Sequence, residues 1–194
     1  LHNLNLYFIN GNFEEGLTII PQIDSRLTLF KTRIDEHHVL TFYYKFACMY
    51  FGSGKNDECI FYLDKIISNK SLSMRQDLLC FSRILNLFAH YEAGYDYHIE
   101  TLLKSTYKFL LKMNDLHEVQ KEMIKFIKNL QYIYPQEIRQ AFIELHSKLK
   151  IYENDVYEGR AFLYLDIISW LESNIENKPI GEIIKNKYSA NIDG

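Results

Sequence analysis

Apolar residues recur along this chain at spacings of three and four, and nowhere do they alternate with polar ones between Asn-Gly or Asp-Gly turns. Apolar positions at i, i+3, i+4 and i+7 line one face of a helix, whereas a half-buried strand needs a period of two. The pattern predicts helices at roughly 13–34, 37–52, 56–69, 74–93, 96–113, 115–133, 135–151, 155–176 and 179–188, with the last turns of a further helix before Gly11. Start signals accompany it. Ser73-Met74-Arg75-Gln76, Asp115-Leu116-His117-Glu118 and Asp155-Val156-Tyr157-Glu158 fit the capping-box spacing. Pro135 and Pro179 suit first turns, where a missing N–H costs nothing. Gly11, the Gly52-Ser53-Gly54 cluster and Gly94 are stop signals. Short connections make consecutive helices antiparallel. No Pro/Gly/Ser-rich linker divides the chain, so residues 1–194 are expected to form one all-α domain.

Gly11, Gly54 and Gly94 lie 43 and 40 residues apart, each following an aromatic residue and preceding a short polar turn into a new helix. Around the middle glycine, Tyr43, Phe46, Ala47 and Tyr50 form a large-large-small-aromatic face. Cys59, Leu63 and Ile66 form a small-large-aliphatic one. Small residues at positions 47 and 59 are what a close helix crossing requires, with aromatics filling the groove beside it. This stretch resembles a tetratricopeptide repeat. The first copy (Gly11, Phe13, Gly16, Ile20, Ile23) and the third (Gly94, Leu102, Ser105) are weaker, so the resemblance covers about residues 1–112. It implies antiparallel helix pairs stacked into a right-handed superhelix, an α-solenoid whose first helices line a concave surface. Residues 113–194 are then a degenerate helical extension and cap, with Tyr157–Ile175 and Pro179–Tyr188 as the capping segments.

Composition narrows the classes. Hydrophobic residues make up 47% and aromatics 15%, too apolar for a disordered chain. A formal net charge of −3 gives no overall attraction to nucleic acid or anionic membrane. No apolar run approaches a membrane span, and no basic, apolar leader opens the chain, so a cytoplasmic protein is expected. The start at Leu1 rather than Met suggests a piece of a longer chain. Cys48, Cys59 and Cys80 sit in apolar patterns without CxxC spacing, as small buried hydrophobes in a reducing compartment do.

Candidate chemistry is sparse. Gly52-Ser53-Gly54-Lys55 echoes a phosphate loop, but Met49 occupies the upstream glycine position, Asn56 follows the lysine, and the loop follows a helix. His37 and His38 point about 100° apart on a helix and do not chelate one metal. No nucleophile–base pairing is evident, so no enzyme, metal or cofactor is expected. In the helix from Leu78, Arg83, Asn86 and His90 share one stripe, opposite Phe81, Ile84, Leu85 and Phe88. The resemblance implies that this stripe, flanked by Tyr44 and Phe51, lies on the concave surface and grips a peptide backbone or carboxylate. The alternative, given slight precedence, is a buried polar network or a wet helix face. Lys104, Lys108 and Lys112 form a second row, with Lys121, Lys125 and Lys128 on the next helix. Such rows are usually solvated faces.

The leading expectation is a scaffold that docks a protein or peptide segment in a concave groove. The alternative is a peptide-sensing regulatory module, because some bacterial tetratricopeptide proteins bind short signalling peptides and switch an attached output domain. Nucleic-acid binding through the lysine-rich helix pair is the weakest reading.

Overall fold

Helix formation follows the periodicity closely. The computed structural model describes residues 1–30, 33–69, 76–114, 116–159, 162 and 166–192. Ten α-helices occur among them: α1 His2–Ile9, α2 Phe13–Leu29, α3 Glu36–Gly52, α4 Asn56–Ile67, α5 Gln76–Glu92, α6 Asp96–Met113, α7 Glu118–Leu130, α8 Ile138–Lys150, α9 Ile167–Glu176 and α10 Ile180–Ile192. Pro135–Glu137 forms a 3-10 turn that leads into α8. No strand is present among the described residues, and no helix there is long and apolar enough to cross a membrane.

The three glycine turns share one backbone conformation. Gly11, Gly54 and Gly94 have φ of +66°, +74° and +71°, the left-handed region that costs a side chain most. Each reverses the chain, and α1 to α6 pack in sequence, each on the next. Contacts between α1 and α3 and between α3 and α5 join the odd-numbered helices into a layer of their own. Within the central pair Phe46, Ala47, Cys59, Leu63 and Ile66 have no exposed surface at all. Tyr43 and Tyr50 are half-buried and close on Tyr62, with ring centroids 5.6 and 5.7 Å away. Burial pushes the Cys48 thiol up to about 11 and the Cys59 thiol well above its usual value.

The C-terminal half departs from expectation in two places. Of the predicted helix 155–176, residues 156–159 form turns and Ile167–Glu176 is helical, with Asp166 Oδ1 accepting from Ser169 N at 2.9 Å at its start. Asp155 instead closes a local turn, accepting from the N–H groups of Tyr157 and Glu158. That turn aims Glu158 at the start of α7, where its carboxylate accepts from the N–H groups of Glu118 and Val119 at 3.0 Å each. A carboxylate there satisfies orphan donors and complements the helix dipole. The expected box at Asp115–Glu118 is replaced: His117 is the N-cap, and Gln120 Oε1 accepts from its N–H. Asp115, and Ser73 to Arg75 of the first predicted box, lie outside the described residues.

After α6 the chain folds back on itself. Helix α7 packs on α5 and α6, α8 on α7, α9 on α8, and α10 on α9. The single tryptophan, Trp170 on α9, is 1% exposed, and its ring lies 4.5 Å from that of Phe88 on α5. Phe142 and Phe126 complete the cluster at 5.3 and 6.4 Å from Trp170. Helix α10 reaches the first turn: a Cβ on Gly11 would meet the Gly181 carbonyl oxygen at 2.5 Å. One continuous core therefore runs from Leu4 to Ile184.

Candidate functional site

The two stripes of α5 both face protein. Phe88 lies against Trp170, while Arg83 turns the other way and places its guanidinium 4.4 Å from the ring centre of Phe109 on α6. Asn86 is 4% exposed, and His90 Nδ1 lies 2.8 Å from the Asn86 carbonyl oxygen. The His90 ring meets Tyr95 edge to face at 5.9 Å. Tyr44 is buried at 1% exposure. Of the five candidate residues Tyr44, Phe51 and Asn86 are therefore buried, and Arg83 and His90 are half-buried. Eleven of the seventeen residues of α5 are buried, because it is enclosed by α4 and α6 on one side and by α7 and α9 on the other. The Arg83 Nε, Asn86 Oδ1 and Ser82 Oγ atoms are buried without a hydrogen-bond partner. Burial pulls the Arg83 guanidinium below its ordinary value.

Phe51 lines an open cavity. A cleft of about 1020 Å³ lies at the turn edge of the odd-numbered helices, between the Gly11 and Gly54 turns and the α9–α10 hairpin. Its apolar lining is Phe13, Phe51, Trp170 and Ile180. Gly52 is required there, because a Cβ would run into the Phe13 ring. Across the two turns Lys55 Nζ pairs with Glu14 Oε2 at 3.2 Å. The lysine of the phosphate-loop look-alike is thus committed to a carboxylate, and Ser53 Oγ donates to the Tyr50 carbonyl.

On the far wall Trp170 Nε1 donates to Glu92 Oε1 at 2.6 Å, and Asn174 Nδ2 donates to the same oxygen at 3.3 Å. The α9–α10 hairpin is pinned independently. Glu172 accepts from Lys187 Nζ and lies 3.1 Å from His146 Nε2, so one carboxylate ties α8, α9 and α10 together. Asn177 at φ +54° ends α9, and Lys178 N bonds the Ser173 carbonyl at 3.0 Å.

Several lining groups keep their bonding capacity. Among the described residues Glu15 and Lys185 have no hydrogen-bond or ion-pair partner for their side chains, and Asn56 Oδ1 is buried with none. An apolar floor ringed by a few uncommitted polar groups is the usual make-up of a binding cleft. No group of three His, Cys, Asp or Glu among the described residues is placed to hold a metal ion. His38 lies 3.2 Å from Asp35 instead of pairing with His37.

Sequence reasoning missed this cleft. Its walls come from positions as far apart as Phe13 and Lys185, and only the Gly52–Gly54 turn carried a local signal. Comparison with protein-family models, curated proteins and solved structures returned no match.

Proposed function

We propose that the chain is a helical-repeat interaction module of the tetratricopeptide type that docks a partner peptide. Its repeats would form a short superhelix, and the α9–α10 hairpin would occupy the hollow that longer arrays leave open. Docking would then use the cleft at the turn edge. One observation carries this reading: the cleft combines an aromatic lining with exposed, uncommitted charged groups at Lys185 and Glu15. A peptide's carbonyl and N–H groups would bond these two side chains, and an apolar side chain would pack beside Phe13 and Phe51. The module would act by binding alone, in the cytoplasm, without a cofactor.

Trp170 is both a wall of this cleft and the only tryptophan, so its emission reports occupancy directly. Peptides selected from a random display library are expected to shift that emission on titration. Ser173→Phe, which adds bulk at the cleft wall and leaves Trp170 the only tryptophan, is expected to weaken them by roughly tenfold or more, the effect of losing about 1.4 kcal/mol of contact. Selected peptides that bind Ser173→Phe as tightly as the parent chain would place recognition elsewhere.

A further inference from the structure

The lysine rows on α6 and α7, which the cleft does not involve, come together in the fold. Lys104, Lys108 and Lys112 are exposed along α6, and Lys121, Lys125 and Lys128 are exposed along α7. The two helices are consecutive, joined by a short connection, and pack on one another. Glu100 at the start of α6 is held below the ordinary carboxylate range, first by the hydrogen bond from Lys104 and also by the charge of Lys128 at the end of α7. Both lysine rows therefore belong to one packed helix pair.

Carboxylates neutralise only part of this face. Lys104 pairs with Glu100 and Lys121 with Glu118, each at 2.7 Å, while Glu122 turns away to Lys148. Lys108, Lys112, Lys125 and Lys128 have no carboxylate partner among the described residues. Four exposed lysines without an ion-pair partner on one helix pair stand out in a chain whose formal net charge is −3. Aromatic surface accompanies them. Tyr97, 91% exposed, lies seven residues before Lys104 on the same stripe of α6, and Tyr107 is exposed between Lys104 and Lys108.

We propose that the α6–α7 face is a docking surface for single-stranded nucleic acid. The lysine rows would track the phosphates, while Tyr97 and Tyr107 supply platforms on which unpaired bases stack. A basic track with interleaved aromatics is the general device for binding single strands without sequence preference. A duplex hides its base faces, and an acidic peptide has none, so neither has a use for a tyrosine as exposed as Tyr97.

The test is fluorescence anisotropy of a labelled oligothymidylate of about 16 nucleotides against the whole chain over a range of salt concentrations. Four to six phosphate contacts predict that log K falls linearly with log salt, with a slope of about −3 to −4. The quadruple variant K108Q/K112Q/K125Q/K128Q removes only lysines without a carboxylate partner, so the helices remain, as circular dichroism will verify. Its slope is expected to shrink by roughly 3. Tyr97→Ala is expected to weaken binding about fivefold or more with the slope unchanged. Absence of binding at low salt, or a quadruple variant that binds like the parent, overturns the proposal. So does polyglutamate competing on equal terms while Tyr97→Ala has no effect, which would assign the face to an acidic protein segment.

Discussion

Replacing Trp170 with alanine is expected to destabilise the chain by about 3–5 kcal/mol, the range for truncating a fully buried large aromatic. Two interactions are lost, and their magnitudes differ. The hydrogen bond from Nε1 to Glu92 contributes roughly 0.5–1.5 kcal/mol net, and Glu92 is exposed, so water takes the place of the indole donor. Packing therefore dominates: the ring fills the space between Phe88, Phe126 and Phe142, on three different helices. Against a typical total of about 5–15 kcal/mol, the loss removes a large share of the stability. Urea unfolding followed by helical circular dichroism measures it. Trp170→Phe, which keeps a ring in place, is expected to cost less than half as much.

The second large effect separates three glycines that look alike. Gly11, Gly54 and Gly94 share a left-handed backbone, so alanine at each carries a strain of about 1–2 kcal/mol. At Gly54 and Gly94 a new Cβ meets nothing within 4 Å, and strain is the whole cost. At Gly11 the same Cβ would press on the Gly181 carbonyl oxygen at 2.5 Å and on Ile184 Cβ at 3.1 Å. Backbone cannot swing aside as a long side chain does, so overpacking adds about 1–3 kcal/mol. Gly11→Ala is expected to lower stability by roughly 2–5 kcal/mol and the other two by about 1–2 kcal/mol. Equal values at all three turns would mean that α10 does not rest on the first of them.

How far the sequence could be read depended on distance along the chain. Helices, the glycine turns and the small residues at the α3–α4 crossing are local or nearly so, and Ala47 and Cys59 do sit where two helices meet without exposed surface. The orientation of α5 was not local. The stripe of Arg83, Asn86 and His90 could be read as a binding surface, a wet face or an internal network; in the fold Asn86 is buried, while Arg83, against Phe109 of α6, and His90 are half-buried. Helix α9 joins α5 through Trp170 and Glu92, 78 residues apart, which no periodicity announces. The same distance hid the cleft. It exists because Gly181 closes on Gly11 and brings the start of α10 beside two repeat turns. Glu158 is a similar case: its spacing suggested a cap for its own helix, yet it caps α7 from 40 residues away.

The central claim is that the chain's own C-terminal helices close on α5 and on the Gly11 turn, beside the turn-edge cleft. A double-mutant cycle between Phe88→Leu on α5 and Trp170→Phe on α9 tests it most directly, since these rings lie 4.5 Å apart. The account predicts a coupling energy of about 0.5–1.5 kcal/mol, the worth of an aromatic pair beyond its buried area. Losses that add to within about 0.3 kcal/mol, as for residues that never touch, would contradict it.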